Sequence, residues 1–220
     1  MSIVFGASDL IVDPVLDEGH VYRTPEGKVV QLSVTRVLRA NGYSDGLRYA
    51  RPEDVEAGGR RGTAVHLATA RLDTRRWGGP QHVNCDGIEG YVDAYRKFCK
   101  DFDWYPLVAE KSLVVRFGSV WCGMTIDRIG LLGSRPTILD VKTSASVSPW
   151  WGLQLAAYVD GANLLCEKAD YKSFDRRTVR LKSDGTYHRP DEWRDPCDLA
   201  VFLGMLQATV WKMNQGVWKP

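Results

Sequence analysis

The sequence predicts an α/β fold with a central mixed sheet, largely antiparallel, that is flanked by helices. Apolar residues recur at helical spacing over 88–102 and again near the end of the chain. Between them, the stretches 108–117, 120–132 and 137–142 are rich in β-branched residues and are separated by Gly-Ser pairs. The 220 residues contain neither an internal repeat nor a linker rich in Gly, Ser and Pro, so we expect one domain over 1–220.

Short local signals place the N-terminal elements. Residues 20–32 predict a small hairpin with its turn at Pro25-Glu26-Gly27. Ser33 is expected to open a short helix that runs through Leu38. A further helix is predicted over 62–72, before the clear one at 88–102.

The C-terminal half alternates between helices and strands. Ser148 followed by Pro149 predicts the start of a helix that ends near Leu165. A hairpin over 178–189 is expected to bend at Ser183-Asp184-Gly185. The last helix carries an apolar stripe, which consists of Leu199, Phe202, Leu203, Leu206, Val210 and Met213.

Composition excludes several classes of protein. Hydrophobic residues make up 44% of the chain and aromatic residues 10%, which is too apolar for a disordered protein. The net charge of +2 excludes a general polycation, so nucleic-acid binding needs a local concentration of basic residues. The five cysteines include no Cys-x-x-Cys pair, so we expect reduced thiols. We find no signal peptide and no apolar run of roughly 18 residues, and we expect a cytoplasmic protein.

Three carboxylates are predicted to form a row across the three central strands. In a tight antiparallel hairpin, paired residues lie at equal distances in sequence from the turn. Turns at Gly118-Ser119 and Gly133-Ser134 therefore place Glu110 opposite Asp127, and Asp127 opposite Asp140. Opposed side chains lie about 5 Å apart, where carboxylates repel each other unless a proton or a cation intervenes. Oxygen ligands at this spacing suit Mg²⁺ or Mn²⁺.

A lysine is predicted on the same face as the last of these acids. Alternation along the strand places Lys142 beside Asp140, whereas Leu139 and Val141 point into the core. An ammonium group beside a metal site can position or deprotonate a water molecule. The alternative is an exposed sheet face that carries solvated charges.

Five short motifs follow one another in the order found in one nuclease superfamily. They are the GxxxH segment from Gly62 to His66, Glu110, the segment from Gly123 to Asp127, Asp140-Val141-Lys142 with Thr143-Ser144, and the QxxxY segment from Gln154 to Tyr158. In these motifs the sequence resembles the PD-(D/E)XK nucleases, most closely the RecB-like and phage exonuclease branch. The resemblance implies a restriction-endonuclease-like core over about 62–182, with 1–60 as an N-terminal extension packed on it.

The resemblance also implies roles for individual residues. His66, Asp127, Asp140 and the carbonyl of Val141 would bind Mg²⁺ or Mn²⁺ as one or two ions, and Glu110 would serve a second metal or a water molecule. Lys142, Asp127, Asp140 and Glu110 would be catalytic. Gln154 and Tyr158 would contact DNA or brace the lysine. Some relatives carry a four-cysteine iron–sulfur cluster, which this sequence is not expected to hold because it lacks closely spaced cysteines.

Two basic segments could bind a DNA backbone without reading its sequence. The first flanks His66 and contains Arg60, Arg61, Arg71, Arg75 and Arg76. The second contains Lys172, Arg176, Arg177, Arg180, Lys182 and Arg189. For each segment the alternative is a charged surface that only keeps the protein soluble.

The sequence thus predicts a metal-dependent deoxyribonuclease. We expect an exonuclease of phage-type recombination, repair or DNA processing, in the cytoplasm of a bacterium or a phage-infected cell, with a recombination or single-strand-binding protein as a further possible partner. Two alternatives stay open, a structure-selective or nicking endonuclease and a DNA-binding subunit that has the fold but no activity.

Overall fold

A large mixed sheet with helices on both faces organises the chain. The computed structural model describes residues 7–12, 15–17, 21–24, 26–43, 50–75, 78, 83–166 and 174–220. The strands are β1 (Ala7–Val12), β2 (Val15–Asp17), β3 (Val21–Arg23), β4 (Val29–Val30), β5 (Leu32–Ser33), β6 (Trp104–Phe117), β7 (Val120–Leu132), β8 (Arg135–Lys142), β9 (Asp175–Arg180) and β10 (Asp191–Glu192). The helices are α1 (Val34–Ala40), α2 (Pro52–Thr74), α3 (Glu89–Asp101), α4 (Trp150–Leu165) and α5 (Asp198–Asn214).

The large sheet has the strand order β1-β6-β7-β8-β9-β10, and β5 also pairs with β7. The pairs β5–β7 and β8–β9 are parallel, whereas the others are antiparallel. This confirms the predicted α/β class with a mixed, largely antiparallel sheet. The predicted N-terminal hairpin is also present, since β3 pairs with β4 in a small sheet that β2 completes.

The two tight turns set the register that the sequence predicts. Pairs such as Phe117 with Val120 and Lys111 with Ile126 follow from the first turn. The pair Arg128 with Leu139 follows from the second. The β6–β7 ladder is interrupted at Glu110 and Asp127, which lie between paired neighbours but do not pair with each other. The β7–β8 ladder ends at the pair Arg128 with Leu139, just before Asp127 and Asp140 would pair. Glu110 has a φ of 49°, which is rare for a residue with a side chain.

One edge of β7 is shared by two different strands. β8 pairs with its C-terminal part up to Arg128, and β5 pairs with Cys122 and Gly123. Tyr22 of β3 lies across this strand, so closely that a Cβ atom on Gly123 would be 2.3 Å from its ring. The sheet therefore forks beside Asp127, and the fork leaves room for a site.

The helices divide between the two faces. Residues from α1, α4 and α5 form one buried cluster with the sheet, and α2 and α3 form the other with Leu139 and Val141. Trp150 and Trp151 are buried in the first cluster. None of the described helices is both long and apolar enough to span a membrane, and all five cysteines are free thiols.

Several boundaries differ from the sequence prediction, and β6 begins at Trp104 instead of 108. α2 begins ten residues earlier than 62, at Pro52 with Glu53 and Asp54 in its first turn, and its interior glycines hid the apolar pattern. The cap of α4 is Pro149 instead of Ser148, and no side chain caps this helix. Finally, part of the expected N-terminal extension is integral to the large sheet, because β1 pairs with β6 and β5 with β7.

Candidate metal centre

Three potential metal ligands converge from three elements. His66 lies on α2, Glu110 on β6 and Asp127 on β7. Their ligand atoms all lie within 4.8 Å of one another. Nδ1 of His66 is 3.7 Å from Oε1 of Glu110 and 3.4 Å from Oδ2 of Asp127. A helix residue and two strand residues that are far apart in the sequence thus meet at one point.

Asp127 lies in the fork between β7 and β8. Its Oδ2 accepts a 2.9 Å hydrogen bond from the backbone N–H of Val141, just beyond the end of the β7–β8 ladder at Arg128. In an extended strand the N–H and C=O of one residue point to the same edge. The carbonyl of Val141, which the resemblance assigns as a ligand, therefore faces the same gap.

Asp140 and Lys142 form an ion pair beside this group. Nζ of Lys142 is 2.7 Å from Oδ2 of Asp140, which confirms that alternation places both on one face. Asp140 is 1% exposed, and neither of its buried oxygens accepts a hydrogen bond of regular geometry. The ammonium of Lys142 also lies 5.6 Å from the ring centre of Trp151, within the range of a cation–π contact.

The predicted row of three acids is thus divided. Asp140 is not part of the group that His66, Glu110 and Asp127 form, because its carboxylate faces Lys142 whereas that of Asp127 is bound by the N–H of Val141. The negative charge of Asp140 nevertheless raises the pKa of Asp127. The two acids are therefore electrostatic neighbours on adjacent strands.

Burial and crowding shift the proton affinity of all three converging groups. Burial is the main cause that raises the pKa of Asp127 to about 7, and the charges of Asp140 and Glu110 add to it. Burial lowers the pKa of His66, but the carboxylates of Asp127 and Glu110 outweigh it and raise this pKa overall. Burial raises the pKa of Glu110, yet its hydrogen bond with His66 and the charge of Arg128 lower it overall. The site therefore favours the protonated forms of Asp127 and His66 and the charged form of Glu110.

Arg128 is a central residue that sequence analysis missed. Its side chain is completely buried, and all five of its N–H donors have acceptors. Nε donates to Asp73 at 2.6 Å, and the two terminal nitrogens donate to Glu110, Thr69 and two backbone carbonyls, those of His66 and Asp127. One guanidinium thus contacts all three residues of the converging group. The available signal was an arginine beside Asp127 in a largely apolar strand, ahead of Ile129.

The other end of this network lies between α2 and α3. Asp73 accepts a 2.8 Å hydrogen bond from Tyr95 in addition to the bond from Arg128. The hydroxyl of Thr69 donates to the carbonyl of Val65 at 2.8 Å. These contacts hold α2 against β7, and they place His66 over the two carboxylates.

A cavity of about 500 Å³ opens at the converging group. His66, Glu110 and Asp127 line it, and so does Tyr158 of α4. The rest of the lining comes from β3, from α1 with the cap residue Ser33, from the middle of α2 and from β7 ahead of Asp127. Arg36 and Arg39 of α1 belong to this lining, and neither was among the residues predicted to bind DNA.

The residues predicted to contact DNA occupy several different environments. Gln154 and Tyr158 are both buried, and Nε2 of Gln154 donates to the Tyr158 hydroxyl at 2.7 Å. Gln154 is only 6% exposed, which leaves little of its surface for a direct contact with DNA, and its role stays a prediction. Tyr158 reaches the cavity, so it retains access to a ligand.

The arginines of α2 lie mostly in solvent. Arg60 forms an ion pair with Glu56, and Arg61 lies over the ring of Tyr91 at 5.8 Å. Arg71 is exposed and Arg75 is half-buried. Arg76, which completed this basic segment, lies outside the described residues.

Three arginines of the second basic segment form ion pairs within the fold. Arg176 pairs with Asp198 of α5, Arg177 with Glu192 and Arg180 with Asp191. These acids join β9 to β10 and to α5 and neutralise its arginines. Both interpretations of this segment stay open for Lys182 and Arg189, and Lys172 lies outside the described residues.

A scan of the chain against models of known protein families gives no match, and a search among curated protein sequences gives none either. The class that the structure itself defines is an α/β protein with a mixed sheet and a His-Glu-Asp group at a fork in that sheet.

Proposed function

We propose that this chain is a Mg²⁺- or Mn²⁺-dependent deoxyribonuclease with a restriction-endonuclease-like core. The convergence of His66, Glu110 and Asp127 beside the buried pair of Asp140 and Lys142 carries this proposal. Residues from four of the five motif segments border one cavity. A set of motifs spread over 62–158 that meets at one place supports a shared function more strongly than any one motif does.

The residues at the site fit a hard divalent cation. Carboxylate and carbonyl oxygens with one imidazole are suitable donors for Mg²⁺ or Mn²⁺. Oδ2 of Asp140 is compensated by Lys142 at 2.7 Å, whereas its buried Oδ1 has no hydrogen-bond donor among the described residues, and such a group is costly unless a partner compensates it. His66, Glu110, Asp127 and Asp140 would hold the ion together with the carbonyl of Val141. A bound divalent ion would polarise a phosphodiester and lower the pKa of a water molecule.

In this proposal, two side chains would act on the substrate. Lys142 holds its ammonium group against Asp140 and over Trp151, where it can orient a water molecule and stabilise negative charge on a phosphate. Tyr158 already accepts a hydrogen bond from Gln154, so its own hydroxyl proton is available to a phosphate oxygen. Burial raises the pKa of Tyr158 well above its ordinary value, and the charges of Asp127 and Asp140 add to this. Tyr158 thus acts as a neutral donor.

The proposed reaction is hydrolysis of a DNA phosphodiester by water, which yields a phosphate monoester and a free hydroxyl group. We favour an exonuclease, as the resemblance to the phage exonuclease branch implies. Its cellular role would be recombination, repair or DNA processing.

The test is a time course on end-labelled linear DNA and on covalently closed circles, with Mg²⁺, Mn²⁺ or a chelator. We expect linear DNA to be degraded from its ends, circles to stay intact and the chelator to stop the reaction. Nicked or linearised circles would indicate an endonuclease instead. A mobility shift without hydrolysis in Mn²⁺ would indicate a DNA-binding subunit and contradict the proposal.

Variants connect the activity to the site. Lys142→Gln should reduce the rate by about 10²- to 10⁴-fold, the usual contribution of a positioned proton-transfer group. Asp140→Asn should give a comparable loss and retain the size of the side chain. The matched control is Lys100→Gln, since Lys100 is exposed in the last turn of α3, and it should leave the rate unchanged.

A further inference from the structure

The cavity beside the candidate metal centre is lined by groups of opposite charge. Glu110 and Asp127 line it together with His66, and α1 contributes Arg36 and Arg39 to the lining. A cavity lined in this way suits a ligand that is anionic but binds next to a cation. Phosphate groups beside a divalent metal ion have this property.

The two arginines of α1 differ from most others in the described part of the chain. Nine arginines there lie within ion-pair distance of a carboxylate, namely Arg51, Arg60, Arg96, Arg128, Arg135, Arg176, Arg177, Arg180 and Arg194. Arg36 instead donates to the backbone carbonyl of Gln31 at 3.0 Å, which orients its guanidinium without neutralising it. Arg39 is exposed, and no ion pair joins it to a carboxylate of the described residues. Both positive charges are therefore available to a ligand.

The helix that carries these arginines is firmly attached. Arg36 and Arg39 are three residues apart, so their side chains project from the same side of α1. Val37 and Leu38 are completely buried beneath it. At the end of the helix, Lys212 of α5 donates to the carbonyl of Ala40 at 2.7 Å. The helix therefore holds Arg36 and Arg39 at fixed backbone positions, which reduces the entropy lost on binding.

The size of the cavity indicates what kind of nucleic acid can enter. Its volume of about 500 Å³ is in the range of roughly 300–1,000 Å³ that holds a drug-sized ligand. A short part of one DNA strand fits such a space, whereas a double helix does not. Asp127 is 7% exposed at the base of the site, so the strand has to enter the cavity to reach it.

We propose that Arg36 and Arg39 bind backbone phosphates of a single DNA strand, and that the site acts on single-stranded rather than double-helical DNA. This inference rests on the proposed nuclease function, which it extends by a substrate class. The two arginines hold the strand by charge and hydrogen bonds, without reading its bases.

Salt-dependent binding tests this proposal. Affinity for fluorescein-labelled oligothymidylate is measured by anisotropy over a series of salt concentrations in Ca²⁺, and a gel checks that the probe stays intact. Each lost phosphate contact on a single strand should reduce the log–log salt slope by about 0.7. Arg36→Gln and Arg39→Gln should each show this reduction, and the double variant about twice as much. Oligothymidylate annealed to oligoadenylate should bind the wild type at least about tenfold more weakly, a difference of about 1.4 kcal/mol.

The matched control is Arg135→Gln, because Arg135 lies at the opposite end of β8 from Lys142 and is 69% exposed. Its salt slope should equal that of the wild type. The inference is overturned if Arg39→Gln changes the slope no more than this control does, if the duplex binds as tightly as the single strand, or if the wild type does not bind the probe.

A parallel hydrolysis assay in Mn²⁺ separates this inference from the proposed function. If the wild type hydrolyses DNA but both arginine variants keep the full salt slope, phosphate binding by Arg36 and Arg39 is contradicted and the nuclease function is not. Wild-type protein that shows the expected slopes but hydrolyses nothing contradicts the nuclease function, and it leaves single-strand binding by α1 supported.

Discussion

Asp127 accepts a 2.9 Å hydrogen bond from the backbone N–H of Val141 at the point where β7 and β8 cease to pair. A side chain thus replaces the next hydrogen bond of the ladder. This hydrogen bond from the backbone to a side chain keeps the two strands together. It leaves Oδ1 of Asp127 for a different partner. It explains how a buried acid can be held in position beside His66 and Glu110.

The crowded acids predict a pH-dependent response to metal. Burial raises the pKa of Asp127 to about 7, far above the roughly 3.9 of an unfolded aspartate. Protonated Asp127 makes its full contribution to the free energy of unfolding below a pH of roughly 3.9. This contribution is lost as the pH rises through about 7. We expect the melting temperature of metal-free protein to fall from pH 5 to pH 8.

Mn²⁺ should reverse this loss, because metal ligands bind in their deprotonated form. The increase in melting temperature on adding Mn²⁺ should therefore be larger at pH 8 than at pH 5, as measured by circular dichroism. Asp127→Asn should abolish most of the pH dependence and most of the increase. An increase that is equal at both pH values would contradict the assignment of Asp127 as a ligand.

The ion pair between Lys142 and Asp140 predicts that stability and metal binding are coupled. Lys142→Gln leaves the buried charge of Asp140 without its cation, and the loss of one partner of a buried pair costs up to about 3–5 kcal/mol. The 19% exposure of Lys142 places the expected loss at the lower end of that range. Mn²⁺ should restore much of this stability, since the ion supplies the missing positive charge.

Urea unfolding with and without Mn²⁺ measures this effect. The double variant Asp140→Asn with Lys142→Gln should be less sensitive to Mn²⁺ than Lys142→Gln alone, because its buried charge is gone. Equal stabilisation of the two variants by Mn²⁺ would show that the ion does not contact Asp140.

Arg128 is predicted to position the ligands without contacting the substrate. Arg128→Lys retains the charge but cannot reproduce five donors in a planar arrangement. We expect a loss of about 10- to 100-fold in Mn²⁺ affinity, the usual effect of removing a group that orients metal ligands. Electron paramagnetic resonance of free Mn²⁺ measures this affinity independently of catalysis.

The control for this variant is Arg135→Lys, which changes an exposed arginine at the far end of β8. It should leave the affinity for Mn²⁺ unchanged. If Arg128→Lys unfolds no more easily and binds Mn²⁺ as tightly as the control, the hydrogen bonds of Arg128 have no role in positioning the site.

Close packing at the fork predicts a sensitive glycine. A Cβ atom on Gly123 would lie 2.3 Å from the ring of Tyr22, so Gly123→Ala forces β3 away from β7. Such overpacking costs about 1–3 kcal/mol, which is measurable by urea unfolding. Gly204→Ala is the control, since a Cβ atom there meets nothing within 4 Å, and on α5 it should be neutral or stabilising. Adding Tyr22→Leu to Gly123→Ala should restore part of the lost stability, because the ring that the new Cβ atom meets is gone. If Gly123→Ala loses no stability and Tyr22→Leu restores none, this packing is contradicted.

Local sequence signals predicted the register of the central strands correctly. The turns at Gly118-Ser119 and Gly133-Ser134 are short, so the residues that pair beyond them follow from their distance to the turn. The pairing of Lys142 with Asp140 follows equally from alternation along one strand. These relationships depend on contacts that are close in sequence, and a linear pattern is sufficient to predict them.

Other features escaped the sequence because their partners are distant. The glycines at 58, 59 and 62 obscured the first half of α2. Arg128 depends on acceptors from α2, β6 and β7, and no spacing rule connects these elements. The arginines of β9 were counted as a possible DNA-binding surface, but acids from β10 and α5 neutralise them.

By itself, the sequence determined the class of the fold, the order of its central elements and the pair Asp140 and Lys142, because turn chemistry and strand alternation act over a few residues. Only the tertiary structure decided that His66 reaches Glu110 and Asp127, that Arg128 holds them, and that Arg36 and Arg39 line the same cavity. These placements result from packing α1 and α2 around the fork in the sheet. Packing joins residues by shape and charge, regardless of their separation along the chain.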